Sequence, residues 1–214
     1  MEKNSTLKSS LKSFLSNLWD LILVNILWIV CSLPIVTMGP ATCAAYSVML
    51  KTVDDETVPT AREFFRAFGS NFVRGLLLGL IGLGMMLLIA ADLWFAVNKG
   101  GDMGTGYFVI SGILGVLFFI FIIYVFPLQA RFENTIGGHI MNAFKLAVIA
   151  PGKTLLMCLI YAVLPLSILV LPRIAVYYIG WFYLLFMVSL PVFMNSRILM
   201  KIFSSLTGEK KDET

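Results

Sequence analysis

The stretches GLLLGLIGLGMMLLIAA (Gly75–Ala91) and YFVISGILGVLFFIFIIYVFPLQA (Tyr107–Ala130) carry no charged side chain. The same holds for Thr154–Pro172 and for Ile174–Ser196. A helix needs roughly 20 predominantly apolar residues to cross the hydrocarbon core of a bilayer. Each of the four runs therefore predicts a membrane span. Every backbone N–H and C=O inside a membrane must be paired within the protein, which leaves helices or closed barrels. The runs are rich in Leu, Ile and Phe and lack the dyad alternation of a barrel strand. The fold class is all-α, a polytopic transmembrane helical bundle.

Composition agrees. Of the 214 residues 59% are hydrophobic and only 13% charged, with a mean hydropathy of +0.91, against about 25% charged in ordinary soluble domains. Residues 1–214 read as a single transmembrane domain, because the polar gaps between runs are too short to hold a soluble module. Catalysis by an attached globular domain is thereby excluded. Cys31, Cys43 and Cys158 lie in apolar surroundings without metal-ligand spacing, so they read as inert thiols, with neither a metal nor a cofactor implied. The net charge of +4 comes from residues that flank the apolar runs. Anionic lipid headgroups are the expected partner, and nucleic acid is not. The N-terminal stretch with Lys3, Lys8 and Lys12 is too polar and too long for a cleaved signal peptide, so the first helix is expected to be retained. Residues 204–214 read as a solvated C-terminal tail.

The uncharged segment Leu21–Leu50 is too long for one upright span and short for two. Pro34 and the Gly39–Pro40 pair interrupt it, predicting a span over Trp19–Ile35 and then a second element over Ala41–Val53 that crosses or re-enters. Basic residues arbitrate, since Lys and Arg concentrate on the cytoplasmic side of span ends. The N-terminus, the stretch Lys51–Arg74, the stretch Arg131–Lys153 and the chain from Arg197 are rich in them, whereas the intervening loops hold only Lys99 and Arg173. Six spans, with both termini cytoplasmic, place every basic stretch on one side. Five spans plus a re-entrant element is the alternative.

A basic amphipathic stretch leads into each of three proposed hairpins. Leu7, Leu11, Phe14, Leu15 and Leu18 oppose Lys8, Lys12 and Ser16. Phe64, Phe65, Phe68 and Phe72 oppose Arg62, Arg66 and Arg74, after a capping box from Thr60 to Glu63. Phe132, Ile136, Ile140 and Phe144 oppose Glu133, Asn142 and Lys145. Such helices suit the membrane interface. Trp19, Trp94, Tyr107 and Trp181 fall where interfacial aromatic belts would place them.

The segments Asn25-Ile26-Leu27-Trp28, Ser32-Leu33-Pro34-Ile35-Val36-Thr37-Met38-Gly39-Pro40-Ala41-Thr42, Phe64-Phe65-Arg66-Ala67-Phe68 and Pro127-Leu128-Gln129-Ala130-Arg131-Phe132 resemble the YesL-like family of bacterial membrane proteins, which carries a domain of unknown function. The resemblance implies a location in the cytoplasmic membrane of a Gram-positive bacterium. It also implies a part in carbohydrate uptake beside sugar importers of the ATP-binding-cassette (ABC) type, whose permease subunits become expected partners.

Ionisable groups at membrane depth are costly and ask for an explanation. Asp20 and Asp92 stand at span ends, where headgroups or water satisfy them, and Asn25 lies deeper, where an interhelical hydrogen bond is the default. A transport pathway would recruit all three. Pro34, Pro127, Pro165 and Pro191 fall inside or at the end of apolar runs, where a proline frees a carbonyl that transporters use for solutes and ordinary kinks leave unused. His139 reads as solvated, and Gly75, Gly79, Gly82, Gly84, Gly112 and Gly115 as a small-residue seam between the helices either side of the loop Val97–Gly106. Arg62, Arg66, Arg74, Arg131 and Lys145 are the expected contacts to lipid or to a cytoplasmic partner. The expectation is a non-enzymatic accessory or regulatory component of a carbohydrate importer. The alternative is an autonomous small-solute transporter or channel, either of them able to form a homo-oligomer.

Overall fold

The computed structural model describes residues 18–54, 59–99, 104–170, 172, 180, 182 and 185–207. These residues are helical almost throughout, and none of them is in a strand. In chain order the helices are α1 (Leu18–Cys31), α2 (Met38–Val53), α3 (Thr60–Ser70), α4 (Phe72–Lys99), α5 (Gly104–Arg131), α6 (Ile136–Ile149), α7 (Pro151–Val170) and α8 (Ser189–Thr207). The N-terminal lysines, the amphipathic face from Leu7 to Leu15, Arg173 and Trp181 lie outside the described residues, as does the tail beyond Thr207. Helix α8 runs into the region read as tail and carries Ser204–Thr207 in its last turn.

Two helices are long and apolar enough to cross a membrane by themselves, α4 and α5. At 1.5 Å rise per residue their 28 residues each give about 42 Å, more than the roughly 30 Å hydrocarbon core. Only 11% of the α4 span is buried inside the protein, and Leu77, Leu80, Leu87 and Leu88 point outward, as a lipid-facing helix requires. A third crossing is formed if α6 and α7 count as one broken span, bent by 107° at Ala150. The all-helical membrane architecture is thus as expected, with two or three helices meeting the length and hydropathy of a span.

Chain direction changes earlier than the first proline pair suggested. Helix α1 ends at Cys31, and Pro34 leads into a single 3-10 turn, Ile35–Thr37, before α2 begins at Met38. The Thr37 hydroxyl closes this corner by donating to the carbonyls of Cys31 (2.6 Å) and Pro34 (2.7 Å). Gly39 and Pro40 therefore sit inside the first turn of α2, where proline's missing N–H has no intrahelical partner to lose.

Helix α2 is the core of the molecule. Every residue from Cys43 to Leu50 is buried, and the helix packs against α3, α4, α5 and α8. Its start crosses α4 backbone to backbone. A Cβ built on Gly39 would collide with the Gly75 carbonyl, one on Gly75 would lie 2.8 Å from Pro40 Cα, and one on Gly79 3.1 Å from Gly39 Cα. The glycines were expected to line a seam between α4 and α5. Instead Gly75 and Gly79 serve the α2 crossing and only Gly82 meets α5, at the Phe121 ring, while a Cβ on Gly84, Gly112 or Gly115 would meet nothing.

Gly75→Val should destabilise the protein by about 3 kcal/mol or more, the upper range for overpacking, because backbone atoms cannot swing aside. Gly84→Ala should be neutral or stabilising by up to about 1 kcal/mol, through helix propensity alone. Thermal unfolding of both variants in detergent checks the pair, and an equal response would contradict the crossing.

Candidate functional site

The ends of α2 and α5 and the starts of α1, α3 and α4 meet in a polar, basic layer. Its centre is Glu63, on the buried side of α3. The carboxylate accepts two bonds from Arg66 (Nε 2.9 Å, Nη2 2.6 Å) and one from the Ser47 hydroxyl (3.0 Å), and lies 3.1 Å from Lys51 Nζ. Burial alone would raise its pKa. The opposing hydrogen bonds from Arg66, Lys51 and Ser47, with the Lys51 charge, outweigh it and hold the carboxyl down at about 2. The capping box read from Thr60 to Glu63 is not formed, because Pro59 is the N-cap and Thr60 is already helical. Thr60 instead donates to Asp20 on α1 (2.5 Å), and Glu63 is spent on the ion network.

Two more links complete the layer. Gln129 Nε2 on α5 donates to Asn71 Oδ1 (2.9 Å), and Arg131 Nη2 lies 3.8 Å from Asp54 Oδ2. On the outside of α3, Arg62 and Arg66 are exposed together with Phe65, while Phe64 is fully buried and stacks on Phe68. The Phe face of the sequence reading is thus split: Phe64 goes inward, whereas Phe65 and Phe72 remain exposed.

Deeper in the bundle lies an apolar cavity of about 360 Å³, walled by residues of α1, α2, α4, α5, α7 and α8 that include Met38, Met86, Phe118 and Pro191. Its polar groups are few. Trp28 Nε1 donates to Thr42 Oγ1 (3.1 Å), and the Tyr161 hydroxyl is 2.5 Å from that of Tyr46, beside the wholly buried Asn195.

The residues singled out as a pathway do not converge there. Asp20 is held by Thr60 in the basic layer, and Asp92 accepts a bond from Ser111 near the opposite end of α4 and α5. Twenty residues of α4 separate Phe72 from Asp92, about 30 Å along the axis. Asn25 is fully buried, and its Oδ1 accepts from the backbone N–H of Val188 (3.0 Å) and Ser189 (3.3 Å). It thereby pairs backbone donors at the start of α8. Of the prolines, Pro34 is exposed in the corner, Pro127 is buried inside α5, and Pro191 borders the cavity from the first turn of α8, where it costs no backbone bond. Pro165 lies on the backbone of α7, with its side chain outside the described residues.

His139 was expected in solvent and is buried at 1% exposure. The inward face of α6 is His139, Ala143, Leu146 and Ala147, about a fifth of a turn from the Ile136–Ile140–Phe144 stripe at about 100° per residue. The amphipathic pattern of α6 was too weak to fix its rotation. Sequence reasoning read Glu63 only as a capping residue and missed Tyr46, Tyr161 and Asn195, whose single-residue signals vanish inside apolar runs.

Residues 21–93 match the family described as "Protein of unknown function, DUF624". The chain is 30% identical over 153 residues to "Uncharacterized protein YesL" of Bacillus subtilis (strain 168), an alignment covering 70% of this chain and 72% of that protein. The chain belongs to the YesL-like, DUF624 family. The matched region of that family spans α1 to most of α4, and so contains the corner at Pro34, the glycine crossing and the Glu63 network. No solved structure matches the chain.

Glu63→Ala should lower stability by about 1.5–3 kcal/mol at pH 7, the range for a charged hydrogen-bonded group. Because the folded pKa lies below the ordinary value near 4.5, this contribution is fully present above pH 4.5 and is lost as pH falls toward 2. Unfolding of wild type and Glu63→Gln in detergent should therefore differ most at neutral pH, the gap narrowing below pH 4.5. A gap that widens on acidification would contradict the assignment.

Proposed function

We propose that this protein is a non-enzymatic accessory or regulatory component of a carbohydrate importer of the ABC type, seated in the cytoplasmic membrane of a Gram-positive bacterium. The observation that supports this reading best is α3. It is a basic helix locked from behind by the Glu63 network, with Arg62 and Phe65 exposed on its outer side beside Arg66, which is itself tied to Glu63. Such a face suits docking on a membrane protein partner or on anionic headgroups. The carbohydrate element rests on the family resemblance.

The topology in this reading is six spans with both termini cytoplasmic and α3 and α6 at the interface. The ion pairs of Lys51 and Arg66 with Glu63, and of Arg131 with Asp54, bring two of the basic stretches together, in keeping with the arrangement that cytoplasmic loops adopt. Helix α2, about 24 Å long, is short for a crossing, but its neighbours shield it from lipid. The second reading, an autonomous small-solute transporter, draws on the central cavity. It is weakened because Asp20, Asn25 and Asp92 are absent from the cavity wall and each has a structural partner.

The test is isolation of the tagged protein from its native membrane in mild detergent, with mass spectrometry of what co-purifies. Importer permease subunits at near-equal amounts are expected, falling at least tenfold with Arg62→Glu, which disturbs no internal contact. A clean homo-oligomer that moves solute in liposomes would replace this reading with the transporter.

A further inference from the structure

A second cavity, of about 290 Å³, opens at the basic end between the last turns of α5, the whole of α6 and the C-terminal part of α8. Its walls are mainly Leu128, Phe132, Leu146, Ile149 and Phe203, with Phe132 and Phe203 in edge-on ring contact. Three polar residues of α6 reach the same space, at one-turn spacing: His139, Asn142 and Lys145. His139 is 99% shielded from solvent, and neither ring nitrogen has a hydrogen-bond partner among the described residues. Buried polar side chains are nearly always paired, so an imidazole left bare in the wall of a cavity marks a missing partner.

The chemistry of that partner can be read from its surroundings. Lys145 is exposed at the cavity and carries a positive charge, Asn142 adds an amide donor, and Arg74 across on α4 lies near enough for its charge to act on the imidazole. Burial first, and the Arg74 charge second, lower the His139 pKa, so the ring is neutral at pH 7 and holds one N–H to donate. An oxyanion satisfies all of these donors at once. The apolar walls, which far outweigh the polar ones, need a hydrocarbon chain to fill them, and free phosphate has none.

We propose that this cavity is a binding site for one anionic phospholipid, its phosphate held by Lys145, Asn142 and His139 and an acyl chain laid against Leu128, Leu146, Ile149 and Phe203. The site rests on the reading of the basic end as the cytoplasmic one, where anionic lipid is concentrated. It does not depend on any importer partner. The bent α6–α7 pair gives the site its shape: the 107° turn at Ala150 swings α6 away from the axis of α7, and in the proposed topology, with α6 at the interface, its polar residues would meet a lipid headgroup.

The purified full-length protein in detergent is titrated with dioleoylphosphatidylglycerol, dioleoylphosphatidylcholine or inorganic phosphate and read by native mass spectrometry. One phosphatidylglycerol per chain should bind at least tenfold more tightly than phosphatidylcholine, and phosphate alone should not compete at millimolar concentration. Lys145→Ala should weaken the preference about fivefold, the worth of one basic residue near an anionic surface. Lys201→Ala, an exposed lysine away from the cavity, should leave it unchanged. His139 is the chain's single histidine, so its ring NMR signals are assignable without mutation and should shift on adding phosphatidylglycerol. Equal binding of the two lipids, an unmoved histidine signal, or full competition by inorganic phosphate would each overturn the proposal. A failed pull-down of importer subunits would leave it standing.

Discussion

The whole arrangement depends on how closely α2 approaches α4. In a membrane there is no hydrophobic gain in bringing two helices together, since lipid tails are as apolar as Leu. Close packing must supply the attraction, and dispersion falls off steeply with distance. At Gly39 and Gly75 the two backbones approach so closely that no side chain larger than hydrogen fits, and Gly79 leaves little more room. This contact seats α2 in the centre, and α3, α5 and α8 then pack round it. A helix of 16 residues, too short and too small-sided to be a conventional lipid-facing span, becomes the core of the fold.

From that seat the polar layer follows. Burying the end of α2 brings Ser47 and Lys51 against α3, where Glu63 balances Lys51 and Arg66 together. A buried carboxylate with one partner removed is costly, whereas one with three donors is held firmly. The amphipathic α3 is consequently fixed in rotation. Its arginines face outward, which makes a surface charge pattern into an oriented docking face. Asn25 plays the same part at depth: it supplies an acceptor to backbone donors where the chain begins α8, and that need explains an amide in the middle of an apolar helix.

The two cavities divide the polar inventory differently. The central one is bounded by aromatic and methionine side chains, with its few polar groups engaged with each other. The one under α6 has an imidazole with no internal partner beside a lysine at its mouth. The first resembles a packing gap within a bundle, and the second has the unequal polar satisfaction of a site that receives something from outside.

Sequence alone determined the class of the fold, because charge-free runs as long as Tyr107–Ala130 admit no structure other than a membrane helix. It also determined the basic polarity of one end, since lysines and arginines cluster between runs. It could not determine the partner of any single residue. Gly75 and Gly84 look alike in the chain, yet one touches the backbone of α2 and the other touches nothing. Glu63 reads as a capping residue until Pro59 is seen to occupy the N-cap, and His139 reads as solvated until the rotation of α6 is known. Those choices rest on contacts between segments far apart in the chain, such as Asn25 with Ser189. Only the tertiary structure fixes them, because local pattern sets which helices form, and packing sets which side of each helix is spent on its neighbours.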